Sequence, residues 1–469
     1  MKAYETTKIG QNRGRPRLWL EGRKAKAAGF LPGKRFNIRK DDERTMLVLE
    51  LSECGSRIVS RKLKGDQEIP VIDINSMEVM SMFEGFDAVR VIVQKVRIII
   101  MPLASDIAKK ERIDRLKAKL ESGEPLAVGS LSHGGGVLSH AVHQGLMDAG
   151  ITSRLAFANE IRPELLEQAG ECNSAWDSET IPLAAPMQEL AFDNWAVNQL
   201  PKVEVLEAGL PCSGASVAGR AKRGLEHPEA HPEVGHLAVS FLAVIAKVQP
   251  AVVLLENVKP YASSASMHIL RNQLRDFGYK VHEEVLQAAD WNALEHRERM
   301  CMVAVTEGVE FDFAALKRPA KQERRIAEIL DPVPEDSDVW STMEGLKAKE
   351  IRDKEQGKNF AMQILTAFDL KCPTITKGYS KVRSTDPKFQ HPTNPALLRQ
   401  FTPAEHARIK GIPEALVAGL SATIAHELLG QSICYAPFKA VAELIGSTLA
   451  TLCTGKAPQA EPMQLQLVG

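Results

Sequence analysis

Residues 203–216 read VEVLEAGLPCSGAS, and this stretch decides the reading of the chain. Val203-Glu204-Val205-Leu206 alternates as a strand does. Pro211 and Cys212 follow, and then the small residues Ser213, Gly214, Ala215 and Ser216. Small residues after a strand let the backbone turn sharply, so Cys212 is expected on a loop that the strand holds. A free cysteine is commonly just a small buried hydrophobe. A thiol whose thiolate is favoured by positive neighbours is instead a strong nucleophile.

Outward from this stretch, short apolar strands alternate with helices. LAVGSL (126–131) precedes a helix near 137–149, and SRLAFANE (153–160) precedes a helix from Pro163. HLAVSFLAVIAKV (236–248) reads as a helix and AVVLLENV (251–258) as a fully buried strand. The helix SMHILRNQLRDFG (266–278) and the strands KVHEEVLQ (280–287) and RMCMVAVT (299–306) complete the run. Such alternation predicts an α/β fold with a doubly wound, mostly parallel sheet. Residues 1–103 read as a β-rich N-terminal domain, with RPRLWLEG, RTMLVLEL and AVRVIVQKVRIIIMP as alternating stretches. A charged helix, 104–125, links it to a catalytic domain over 126–306. A polar, proline-containing region covers 307–394, helices return over 395–453, and 454–469 reads as a flexible tail.

The 469 residues carry 59 basic and 59 acidic side chains, a balance that says nothing about partners. Residues 1–40, however, hold twelve Lys and Arg against Glu5 and Glu21, which suggests a surface for phosphates or a solvated arm. Seven scattered cysteines without a CxxC pair exclude a disulfide framework and a zinc ribbon, and fit a reducing cytosol. No apolar start or long apolar run is present, so a cytoplasmic chain with no membrane partner is expected.

In open α/β sheets, ligands sit beyond the carboxyl ends of the strands. After LAVGSL come His133, Gly134, Gly135 and Gly136, and after the next strand comes Glu160. Glycines at a strand-to-helix turn followed by an acid suit a nucleoside cofactor, the acid holding a ribose diol. Cys212, Glu256, Arg297 and Arg299 are expected at the same edge: a thiol, a carboxyl and two guanidiniums. Two histidine sets, His133, His140 and His143 and then His227, His231 and His236, invite a metal reading. The chemistry below needs no metal, and none is expected.

These motifs, in this order over about residues 126–450, resemble the cytosine-5 DNA methyltransferases. LSHGGG looks like the glycine motif for S-adenosylmethionine, GLPCSGAS like the Pro-Cys motif, and ENV (256–258) like the catalytic Glu-Asn-Val. EHRER (295–299) is similar to Gln-x-Arg-x-Arg, with Glu295 in place of the glutamine. RQFTPAEHARIKGIP (399–413) resembles the motif bracing the recognition domain. GQSICYAPF (430–438) resembles the late Gly-Asn-Ser motif, with Gln431 in place of the asparagine. The resemblance implies a class I, Rossmann-like methyltransferase domain with a smaller target-recognition domain. It implies Cys212 as nucleophile, Glu256 near the base N3, and Arg297 and Arg299 as catalytic support. It places Leu131, Gly134, Gly135, Gly136, Glu160, Gln188, Pro211, Gln431 and Ser432 around S-adenosylmethionine. Arg220, Lys222 and Arg223, on the loop after Cys212, would touch DNA phosphates, and Thr374, Thr376 and Lys377 in the recognition region would touch DNA.

The expected function is therefore transfer of methyl to carbon 5 of a flipped-out cytosine in double-stranded DNA. An RNA cytosine-5 methyltransferase and a non-catalytic DNA-binding regulator are the rival readings. Candidate partners are a cognate restriction endonuclease and a second copy of this chain, paired through 1–103. Within that segment, RPRLWLEGRKAKAAGFLPGKRFNI (15–38) looks like a SymE-type or AbrB-like hairpin barrel.

Overall fold

The computed structural model describes residues 1–212, 214–215, 223–358 and 360–454. Arg220, Lys222 and the tail from 455 lie outside the described residues. The chain forms two compact units, residues 1–111 and 112–469.

In the first unit, one sheet has the order Ala3–Lys8, Ala88–Gln94, Arg97–Pro102, Met46–Leu51, Arg35–Asp41, Arg57–Ile58. A second has the order Gly10–Asn12, Arg15–Glu21, Gln67–Ile74, Ser60–Lys64. Alternation does the work here: Leu18 and Leu20, Leu47 and Leu49, Val89 and Val91, Ile98 and Ile100 all point into one core with Phe30 and Phe36. The intervening positions take the other face, where Trp19 is exposed and Val48 is covered. Several of the early basic residues are neutralised locally, with Arg17 on Asp73 at 2.8 Å and Lys24 on Glu5 at 3.5 Å.

In the second unit, strands β1 (Leu126–Leu131), β2 (Ser153–Glu160), β3 (Ile181–Ala184), β4 (Val205–Gly209), β5 (Val252–Asn257), β6 (Tyr279–Gln287) and β7 (Glu298–Thr306) form one sheet. Its order is β3-β2-β1-β4-β5-β7-β6. The first five strands pair in parallel, and β7 runs antiparallel to both its neighbours. The mostly parallel, doubly wound sheet expected from the strand–helix rhythm is thus present, with one reversed strand. Buried on both faces, β5 is apolar at Val252–Leu255 and carries its polar residues only at its end.

Helix α1 (Ala104–Ser122) is the charged stretch read as a linker, and its charges dock it. Arg112, Arg115 and Lys119 recur at helical spacing on one face. Arg112, fully buried, donates to Thr306 Oγ1 at 2.9 Å and Gln249 Oε1 at 2.8 Å. Arg115 and Lys119 each reach the carboxylate of Glu204 at 2.7 Å, and Ala127 N donates to it at 2.8 Å. Strand alternation would turn Glu204 towards water; in the sheet it is fully buried and fully satisfied.

Helix α2 (Val137–Asp148) packs against α3 (Tyr435–Thr454), the last described helix. A methyl on Gly145 would overlap the backbone of Lys439 and Glu443, so only glycine admits this approach. The polar region after β7 has a small core of its own, built by Ile326, Ile329, Leu365, Cys372, Ile375, Tyr379 and Phe389. Leu294, Phe401 and Ile409 complete it from the flanking segments.

Candidate active site

The carboxyl ends of β1, β2, β4 and β5 share one edge of the sheet, and the reversed β7 begins there. That is why residues 131–136, 160, 212, 256 and 297–299 gather although 168 positions separate the first from the last.

At β1, Gly134 and Gly136 take left-handed backbone angles, φ 56° and 73°, and Gly136 leads directly into α2. Side chains strongly disfavour those angles. Gly135 lies against Leu428, which an added methyl would overlap. Glu160, at the end of β2, accepts N–H bonds from Gly134 at 2.9 Å and from Ile161 and Arg162 at 3.0 and 3.2 Å. Arg162 in turn bonds Glu427 at 3.0 Å, on the helix Ala422–Gln431 that carries Leu428. A carboxylate beside a glycine turn at a helix N-terminus fits a nucleoside cofactor. Gln431 ends that helix, exposed, and Ser432 follows with its hydroxyl on Leu429 O at 2.6 Å. Gln188 lies half-buried in the helix Met187–Phe192 after β3, and Pro211 is exposed beside Cys212.

His133 is not a ligand. Trp176 Nε1 donates to its Nε2 at 3.1 Å, so the proton stays on Nδ1, which meets Ser130 Oγ at 2.7 Å. Burial pushes the His133 pKa down to about 3, keeping it neutral. His140 bonds Tyr435 and His143 bonds Ser153. Among the described residues, no group of three or more His, Cys, Asp or Glu is placed to hold a metal. Ser130 also neighbours Glu207, in mid-strand β4, whose carboxyl burial pushes up to about 8.

Cys212 is set by the ends of β4 and β5. Asn257 Nδ2 donates to Leu210 O at 3.1 Å, and Ala215 N donates to Cys212 O at 2.9 Å. Glu256 pairs in register with Gly209, where a methyl would sit 3.6 Å from its Oε2. Arg299 reaches Glu256 Oε1 at 2.7 Å. Burial raises the Glu256 pKa against the opposing pull of Arg299 and Arg297. Burial and the Glu256 charge raise the Cys212 thiol, while Arg299 and Arg297 pull it down. Thiol, carboxyl and both guanidiniums therefore act on one another.

Arg297 is buried, with Nη2 on Ser432 O at 2.8 Å and Gly430 O at 3.2 Å. Its Nε meets no hydrogen-bond partner among the described residues. Of the recognition-region positions, Thr374 donates to His296 O at 2.7 Å, Thr376 bonds Asp386 at 3.3 Å, and Lys377 is exposed. Arg223 is exposed near the start of the described part of its loop. Sequence reasoning missed Lys410, which bonds Glu295 at 2.7 Å. The replaced glutamine at 295 was the signal that a buried cation must lie opposite.

Fold and site together place a glycine turn, a thiol and a carboxyl–guanidinium pair at one edge of an open α/β sheet, as a methyltransferase domain would. The family model "C-5 cytosine-specific DNA methylase" matches residues 142–447, and the chain belongs to that family. Its enzymes use S-adenosylmethionine as methyl donor, and the chain is a DNA cytosine-5 methyltransferase. It is 28% identical over 266 residues to the type II methyltransferase M.NlaX of Neisseria lactamica, covering 55% of this chain and 81% of the relative. With M1.ScrFI of Lactococcus lactis it shares 27% over 251 residues, 52% of this chain and 62% of the relative. With M.HhaI of Haemophilus parahaemolyticus it shares 24% over 314 residues, 61% of this chain and 90% of the relative. The solved S. pombe Dnmt2 methyltransferase has the same fold, with TM-score 0.54 and 20% identity over 70% of this chain and 99% of that one. No helix among the described residues is long and apolar enough to cross a membrane.

Proposed function

We propose that the chain methylates carbon 5 of a cytosine extruded from duplex DNA, through a covalent bond from Cys212. The observation that supports this reading is the Glu256–Arg299 pair at 2.7 Å, at the end of the strand whose Asn257 ties down the Cys212 loop through Leu210 O. Carbon 5 of cytosine is a weak nucleophile. Addition of the Cys212 thiolate to carbon 6 makes it enamine-like and builds negative charge on the ring. Glu256, whose carboxyl burial pushes upward, can carry a proton to N3 and relieve that charge. Arg299 holds the carboxyl in place. Burial disfavours the Cys212 thiolate throughout; protonation of Glu256 removes the opposing charge and leaves the two guanidiniums to favour it. Once carbon 5 carries the methyl, its proton passes to water, Cys212 leaves as the thiolate and N3 returns its proton to Glu256, which restores the ring.

S-adenosylmethionine, when bound, supplies an electrophilic methyl. Gly134, Gly135, Gly136 and Glu160 would hold it, with Gln431 and Ser432 closing from the late helices. The base cannot reach such a recessed thiol from within a duplex, which supports base flipping. Residues 307–394, with Thr374, Thr376 and Lys377, are proposed to read the target. The first unit, rich in Lys and Arg, is proposed to add phosphate contacts or self-association. The type II relatives support a paired restriction endonuclease in the cytosol of a bacterial or phage-infected cell.

The test is transfer of labelled methyl to plasmid DNA and to RNA by the full chain, with bisulfite sequencing of the product. Cytosine-5 methylation of the duplex at a defined site is expected. Transfer to RNA alone, or to neither, would overturn the reading.

A further inference from the structure

Where its family carries a glutamine, this chain carries Glu295, two residues before Arg297. Glu295, Lys410 and Arg297 are 1%, 2% and 4% exposed, so three charged groups share one dry space. Glu295 Oε2 takes Lys410 Nζ at 2.7 Å. Glu295 Oε1 takes Ile375 N at 3.0 Å and stands 3.7 Å from Arg297 Nη1. The backbone ties the same parts together. His296 N donates to Cys372 O at 2.8 Å, Cys372 N to Leu294 O at 2.7 Å, and Glu295 N to Ile409 O at 3.2 Å.

We infer that Glu295 is a positioning residue whose single carboxylate holds Arg297 against the carbonyls of 430 and 432 and fastens segment 372–376 to the active site, with Lys410 balancing its charge. This rests on the methyltransferase reading above. The two ends of the pair are not equivalent. Without Lys410, Glu295 still faces Arg297 and the buried charges cancel. Without the Glu295 charge, two buried cations face each other, and the remaining nearby carboxyl, Glu256, is already paired with Arg299. Ile375 N would meet an amide, and Arg297 would keep only the carbonyls of Gly430 and Ser432. Such a cluster favours displacement of Arg297, because unpaired buried charge is far costlier than a broken neutral contact. A purely structural pair would suffer equally from loss of either end.

The experiment uses the full chain, S-adenosylmethionine and a mixed-sequence duplex made with 5-fluorocytosine, and follows formation of the covalent adduct. Wild type is compared with Glu295→Gln and Lys410→Met, and binding of S-adenosylmethionine is measured in parallel. Glu295→Gln is expected to slow adduct formation by about tenfold or more at saturating DNA, since small displacements of catalytic groups cost factors of this size. Its cofactor affinity should stay unchanged, and Lys410→Met should lose clearly less. Equal losses in the two variants, or a Glu295→Gln rate matching wild type, would overturn the inference. If Glu295→Gln does not fold, Glu295→Asp keeps the charge but withdraws it by one methylene. It should slow the adduct similarly, and a wild-type rate there would refute the inference. A wild-type chain that forms no adduct is a different result: it overturns the functional reading, and the inference with it.

Discussion

Glu207→Gln isolates one physical quantity, the cost of a buried carboxyl without a counter-charge. Glu207 sits in the middle of β4, 1% exposed, and its Oε1 meets no partner among the described residues. Three residues earlier, Glu204 is equally buried but takes Arg115, Lys119 and an amide N–H. Burial, against a weaker downward pull from Ser130, moves the Glu207 pKa from 4.5 to about 8, so the folded chain holds a proton that the unfolded chain releases. The folded-state pKa is raised, so its contribution is complete below about pH 4.5 and is lost as pH rises towards about 8. Inside that window the loss is about 1.4 kcal/mol per pH unit, or about 2.5 kcal/mol between about pH 5 and pH 7. A glutamine keeps the shape and cannot ionise. The variant should therefore gain stability relative to wild type by about that amount across this interval, and the difference should level off above about pH 8. Urea denaturation of both chains at stepped pH, followed by circular dichroism, measures it. A stability difference that does not change with pH would refute the reasoning, whatever its size.

Three further outcomes are expected. Cys212→Ala should abolish methyl transfer and adduct formation while calorimetric binding of S-adenosylmethionine persists; residual turnover would remove the thiol from the mechanism. Glu256→Gln should lower the transfer rate by about 10²–10³-fold, the usual weight of a positioned acid. Steady-state kinetics on duplex DNA would show this as a fall in kcat. Gly135→Ala should weaken cofactor binding and cost about 1–3 kcal/mol of stability, because the added methyl overlaps Leu428 and the overpacked site must shift.

Much of the site was legible because its parts are local motifs. The glycine turn, Pro211-Cys212, Glu256-Asn257-Val258 and the two arginines each sit where a strand begins or ends, and a doubly wound sheet gathers such points at one edge. The division of labour between the arginines was not legible. Arg299 takes Glu256, whereas Arg297 turns to the carbonyls of 430 and 432. Two positions apart, they would share one face of a strand; Arg297 lies just before β7 and Arg299 within it, and the different segments packed against each set their partners. His133, His140 and His143 looked like a metal set by spacing, yet each ring is bonded to a different protein group.

By itself, the sequence determined the apolar rhythm of strands and helices, the order of the motifs and the identity of the reacting groups. These depend on residues near one another in the chain. The tertiary structure alone decided which buried charges live in company. Glu204 meets α1 across 85 to 89 positions, Glu295 meets Lys410 across 115, and Glu207 meets no cation. A charge is stable inside a protein only with its partner in contact, and packing sets contacts at such separations, whatever the spacing along the chain.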